Sequence, residues 1–142
     1  MKLQIAEAAL RVIQEHSTEI YPDECCGFLY GEENEVRLIQ EAVPVTNSKD
    51  GDKRRRFEIS PEDYMRAERY ALQNNTNLLG VYHSHPDHPA RPSEHDLKQA
   101  VPFFSYIIVS VMQGKVADLT SWQLSEAGQF EEEKILQTEK LY

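Results

Sequence analysis

Four of the chain's five histidines fall between positions 83 and 95, in the string His83-Ser84-His85-Pro86-Asp87-His88-Pro89-Ala90-Arg91-Pro92-Ser93-Glu94-His95-Asp96. Imidazole nitrogens and carboxylate oxygens are the donors that zinc accepts from proteins. Side chains along a strand repeat every second residue, so His83 and His85 share a face if the strand before them continues through both. Two imidazoles on one face at a strand end can bind one ion. A catalytic zinc takes three protein ligands and leaves one position for water. Asp96 is the candidate third ligand: it starts a predicted helix beyond a loop stiffened by Pro86, Pro89 and Pro92, and such a loop can fold back to the strand end. Ser93 and Asp96 also have an explanation that needs no metal, as the Ser-x-x-acid box that caps a helix.

The elements that must position these residues follow from periodicity. Ile5, Ala8, Ala9, Val12 and Ile13 recur at helical spacing and predict an opening amphipathic helix, ended by Tyr21-Pro22. Residues 25–31 are a short apolar run bounded by glycine and read as a buried strand. Glu32-Glu33-Asn34 turns this strand into a second at Val36–Val45, making a hairpin. Residues 46–56 are polar and charged and predict a mobile loop. Ser60-Pro61-Glu62-Asp63 predicts a sharp helix start, with Ser60 as cap, Pro61 in the first turn and both acids at the positive helix end. Tyr64, Met65, Ala67, Ala71 and Leu72 would form its apolar face, and Asn74-Asn75 its end. A third strand over residues 78–83 leads into the histidine string. After it come a short helix over 94–100, an apolar strand over 105–111, a Gln113-Gly114 turn and a strand over about 117–124. The expected fold class is α/β of the α+β kind, a single mixed β-sheet flanked by helices. One domain would span residues 1–142, with 129–142 as an edge strand or acidic tail.

Composition narrows the function. A chain of 142 residues is too short for a (β/α)₈ barrel, which needs about 250. With 40% apolar and 27% charged residues it is globular in composition, not disordered. Its net charge of −9 argues against a nucleic acid partner, whose phosphates demand surplus Lys and Arg. The single basic run, Lys53-Arg54-Arg55-Arg56, reads as part of a solvated loop. Cys25 and Cys26 are adjacent and cannot make a spaced disulfide framework, which points to a reducing compartment. Glu7 interrupts the segment where a signal peptide would be apolar, and no apolar run approaches the ~20 residues of a membrane span. The expectation is a cytoplasmic protein with no membrane partner.

By its letters, His83-x-His85-x-Asp87-His88 resembles the metal motif of the metallo-β-lactamase fold. That fold is substantially longer and takes ligands from downstream histidines, whereas here the last histidine is His95. The deaminase signature His-x-Glu with Pro-Cys-x-x-Cys is absent. A fuller match is His83-Ser84-His85-Pro86, six residues, Ser93, two residues, Asp96, which resembles the signature of the JAMM, or MPN-plus, zinc metalloproteases at every fixed position. Glu24-Cys25-Cys26-Gly27-Phe28-Leu29-Tyr30-Gly31 resembles the Glu-x-Cys-Gly-x-Leu-x-Gly pattern of the small bacterial forms.

The resemblance implies a JAMM/MPN architecture, similar to that of cytidine deaminases. It implies Zn²⁺ held by His83, His85 and Asp96, Glu24 moving the proton of a water, and Ser93 donating to the oxyanion in amide hydrolysis. It further implies a protein or peptide substrate, such as the C-terminal tail of a ubiquitin-like sulfur carrier, bound extended along a sheet edge. The chain has no room for the insertions with which larger deubiquitinating relatives grip ubiquitin. The alternative is a non-catalytic MPN scaffold, a kind that typically lacks one or more ligands. Cys25 and Cys26 are expected in the core, His88 and His95 on a loop and a helix surface, and His16 partly packed.

Overall fold

A computed structural model describes residues 1–137. In chain order the elements are β1 (Lys2–Ile5), α1 (Glu7–Ile20), β2 (Cys26–Glu32), β3 (Val36–Val45), α2 (Pro61–Gln73), β4 (Asn77–Pro86), α3 (Glu94–Gln99), β5 (Ser105–Met112), β6 (Lys115–Leu124) and β7 (Phe130–Ile135). The strands lie in the order β1-β3-β2-β4-β5-β6-β7. β4 runs parallel to β5 and β1 parallel to β3, while the other neighbours in that order are antiparallel. This is the expected mixed sheet with helices. Its ends also meet, since Lys2 and Leu3 pair with Lys134 and Ile135 and roll the sheet into a barrel. The strand predicted from Gln129 onward corresponds to β7, but it is not an edge, because β6 and β1 both pair with it; residues 138–142 of the predicted tail lie outside the described residues.

Both faces of the sheet are covered, and strand alternation sorts the core. Leu29, Tyr82, Ile107 and Val109 pack with Ala9, Leu10 and Ile13 of α1. Phe28, Tyr30, Val81 and Tyr106 pack on the opposite side with Ala67 and Ala71 of α2 and with Phe57 and Ile59. Cys25 belongs to the first cluster and Cys26 to the second, both free and buried as expected.

Three elements differ from their sequence reading. The chain opens with a strand, not a helix: Leu3 and Ile5 are buried in alternation, and pairing with β3 and β7 fixes the segment as extended. The buried stripe of α1 is accordingly Ala9, Leu10, Ile13 and Ser17, with Ala8 exposed. On α2, Ala67 and Ala71 are buried, whereas Met65 and Leu72 lie roughly 120–140° around the helix from them and point to solvent. Its start follows the sequence, with Ser60 accepting the Asp63 N–H at 3.1 Å and Pro61 in the first turn. Among the described residues no helix is long and apolar enough to cross a membrane.

Gly80 lies at the start of the β4–β5 pairing, opposite Ser105. A Cβ there would lie 1.9 Å from the Ser105 carbonyl oxygen, a backbone atom that a flexible side chain cannot replace. Gly80→Ala is expected to cost about 3 kcal/mol or more, read as a lower urea midpoint, because β4 or β5 must shift.

Candidate metal centre

β4 is longer than its apolar core. It continues through the polar residues to Pro86, still pairing with β5 at His83↔Ile108 and His85↔Ser110. His83 and His85 therefore share the face of Val81, toward Phe57, whose ring stacks on His83 at 4.5 Å between centroids. Ser84, between them, points the other way. Its Oγ accepts the Cys25 N–H at 2.9 Å, and its own N–H donates to the Cys25 carbonyl at 3.1 Å. These bonds extend the β2–β4 ladder past Cys26↔His83, so that Glu24 falls across from His85.

The segment after β4 is tied down through three successive carbonyls. Ser110 Oγ donates to His88 O at 2.6 Å, His85 Nδ1 to Pro89 O at 2.8 Å, and Thr120 Oγ1 to Ala90 O at 2.7 Å. Asp87 turns outward with positive φ and accepts from the Tyr21 hydroxyl at 2.6 Å and the Gln113 N–H at 2.8 Å. Asp87 is therefore spent on holding the loop, which removes the metallo-β-lactamase-like use of it. The loop returns through Ser93 to α3, where a complete capping box forms. Ser93 Oγ accepts the Asp96 N–H at 3.1 Å, and Asp96 Oδ2 accepts the Ser93 N–H at 2.9 Å.

That box aims Asp96 Oδ2 at the histidine pair. His83 Nε2 and His85 Nε2 are 3.1 Å apart, and they lie 3.3 Å and 3.2 Å from Asp96 Oδ2. All three residues are buried. Tetrahedral zinc ligands bonded at 2.0–2.1 Å lie about 3.3 Å from one another, so this triangle has the dimensions of a zinc site. The proton inventory agrees. Because a carbonyl only accepts, His85 Nδ1 carries its ring's proton in the neutral form, and Nε2 faces Asp96 Oδ2 as one lone pair against another. A cation between them would remove that repulsion, with Pro89 O as the outer partner that orients the His85 ring.

Electrostatics favour the same states. Burial pushes the His83 pKa down, against the pull of Asp96, and favours the neutral ring. Burial opposes charge on Asp96, but in the metal-free site a proton held on the histidine pair, together with the Ser93 N–H, outweighs it and holds the carboxyl well below the usual range. Glu24 is buried and its Oε1 has no partner. Its pKa is pushed up to about 9 by burial first, then by Asp96 and Asp52. Glu24, His85 and Ser93 line one cavity of about 460 Å³ together with Arg55, His88 and Arg91. A second cavity of about 360 Å³ reaches Glu24 from the side of Pro44, Val45 and Asn47.

The structure thus brings His83, His85 and Asp96 together and sets Glu24 and Ser93 on the adjoining cavity. His95 is half-buried, with Nε2 3.4 Å from Phe57 O, while His16 is partly packed as expected and meets the Tyr82 hydroxyl at 2.7 Å. Sequence reading did not single out Phe57 or Asn47. The predicted loop over 46–56 is irregular, but it is fastened: Asn47 Nδ2 donates to Glu24 O and Arg56 O, its Oδ1 accepts from the Glu58 N–H, and the Glu24 N–H donates to Lys53 O at 2.6 Å. Phe57, an apolar residue directly after four basic ones, was the available signal.

A mixed sheet whose His-x-His strand end meets a distant capping aspartate is the arrangement of a JAB/MPN domain. Residues 6–125 match the family described as prokaryotic homologs of the JAB domain, and the chain belongs to that family. It is similar to a desampylase of Pyrococcus furiosus, 30% identical over 129 residues that cover 91% of this chain and 83% of that protein. A CysO-cysteine peptidase of Mycobacterium tuberculosis is 28% identical over 118 residues, covering 82% and 79%. The solution structure of protein DSY2949 from Desulfitobacterium hafniense superposes with a TM-score of 0.82 at 28% identity, covering 97% of this chain and 94% of that one.

A carboxyl whose pKa is raised by folding keeps its proton in the folded state over a window where the unfolded state has lost it. Stability then falls as pH rises between about 4.5 and 9. In metal-free protein, Glu24→Gln is therefore expected to raise stability at pH 7–8 by an amount on the order of 2–3 kcal/mol, with the gain vanishing below pH 4.5. Chemical denaturation of both proteins across pH, with chelator present, measures it.

Proposed function

We propose that this protein is a zinc-dependent peptidase that hydrolyses an amide bond at the C-terminus of a ubiquitin-like sulfur-carrier protein. The observation that carries this reading is the donor triangle of His83, His85 and Asp96 with a buried, unpartnered Glu24 on the adjoining cavity. The names of the desampylase and the CysO-cysteine peptidase support a protein substrate. Two free, buried cysteines fit a reducing, cytoplasmic location.

His83, His85 and Asp96 would hold the zinc. When bound, it supplies a Lewis acid that polarises the substrate carbonyl and lowers the pKa of a water. With a bound cation offsetting the burial that raises its pKa, Glu24 would be ionised to take the proton of the attacking water and would then deliver it to the leaving nitrogen. Ser93 spends an oxygen lone pair on the Asp96 N–H, which leaves its hydroxyl proton free to donate to the carbonyl oxygen as it becomes negative. The substrate tail would run along the outer edge of β3 from Gln40 to Val45. Beyond Ile39 that edge has no strand partner among the described residues, and it leads to the cavity shared by Pro44, Val45 and Glu24.

Glu24→Gln is expected to retain about one equivalent of zinc by elemental analysis while kcat falls by about 10³-fold. Retained full activity removes Glu24 from the mechanism. Protein purified without chelator that holds less than about a tenth of an equivalent, and does not rebind it, is a scaffold and not an enzyme.

A further inference from the structure

The basic run is the sequence feature that the site leaves unused. Although the chain carries a net charge of −9, the cavity beside Glu24, His85 and Ser93 is walled by two arginines. Arg55 comes from the loop before α2, and Arg91 comes from the segment that links the histidines to Asp96. Glu24 is the only acid among the residues lining it. Arg91 forms no ion pair with any described residue. Arg55 has Asp52 at 3.8 Å, with both side chains mostly exposed, a screened contact that is worth little. Two other arginines are matched at short range, Arg66 to Asp63 and Arg37 to Glu33, each at 2.7 Å. The two guanidinium groups on this cavity are thus available to a ligand.

A guanidinium fork matches a carboxylate. In an amino acid released from a chain end, the free carboxyl carbon lies two bonds, about 2.5 Å, from the nitrogen of the cleaved amide. Its carboxylate therefore occupies the immediate surroundings of Glu24 and Ser93, which is where Arg91, two residues before Ser93, borders the cavity. A lysine isopeptide leaves methylenes in that space, and an internal peptide bond leaves a neutral amide. Both would strand the arginines.

We propose that Arg91, assisted by Arg55, binds the free α-carboxylate of the departing residue. The protein then releases one C-terminal amino acid from its substrate, in preference to cutting isopeptide or internal bonds. The reaction adds one water: the C–N bond breaks, hydroxide oxygen stays on the carbonyl carbon and the proton goes to the amine. This specificity rests on the peptidase reading above. It gives the Lys53 to Arg56 loop a role in selecting the leaving group.

The probe is a set of N-acetylated hexapeptides randomised over the last four positions, made both as free acids and as C-terminal amides. Mass spectrometry follows loss of the last residue in the presence of the zinc-loaded full chain. The free acids should be consumed with kcat/KM about tenfold higher or more. Arg91→Ala should bring the acid-to-amide ratio close to 1, mainly through KM, and Arg91→Lys should keep part of the preference. Arg55→Ala should lower the ratio by a smaller factor, since Asp52 already shares that group. Equal rates for acids and amides, or an Arg91→Ala protein slowed equally on both, overturns the carboxylate assignment and leaves the peptidase reading standing. No hydrolysis of either set by protein holding one equivalent of zinc overturns both.

Discussion

Three lone-pair donors held within 3.3 Å of one another inside a protein repel unless a cation or a proton lies between them. Much of this fold opposes that repulsion. The long β4–β5 pairing keeps His83 and His85 on one face up to the end of the strand. The His88, Pro89 and Ala90 carbonyls are each held by a different side chain, from β5, β4 and β6 respectively. The capping box of α3 then uses one carboxylate oxygen both to close the helix start and to complete the triangle. A preorganised site of this kind costs folding energy, and a bound ion would return it.

The same arrangement accounts for the neighbourhood of Glu24. Two hydrogen bonds between Cys25 and Ser84 continue the ladder beyond β2 and bring Glu24 to the level of His85. Asn47 and the Lys53 carbonyl fasten the loop between β3 and α2 to the Glu24 backbone. That attachment carries the basic segment to the cleft, and Phe57 follows it beneath His83. The buried carboxyl, the ring under the ligand and the arginine wall are consequences of one loop closing over one strand end.

Much of this was legible in the sequence. His83, His85, Ser93 and Asp96 declare themselves because their spacing maps onto two local devices, a two-residue strand repeat and a helix capping box. The second helix announced its start through Ser60 and Pro61 for the same reason. β1 was not legible, since four residues with two apolar positions have no period of their own until β3 lies beside them. Met65 and Leu72 look like core from their type, yet the helix buries Ala67 and Ala71, because small residues let α2 approach the sheet.

What the sequence determined alone was the donor set and its order along the chain, since ligand spacing is a property of local backbone geometry. Tertiary structure decided what surrounds that set. The closure of the sheet, the approach of Glu24 to His85, the Phe57 ring on His83 and the placement of Arg55 and Arg91 on one cavity bring together residues tens of positions apart. Such contacts depend on strand register and loop anchoring, and no repeat within either partner encodes them.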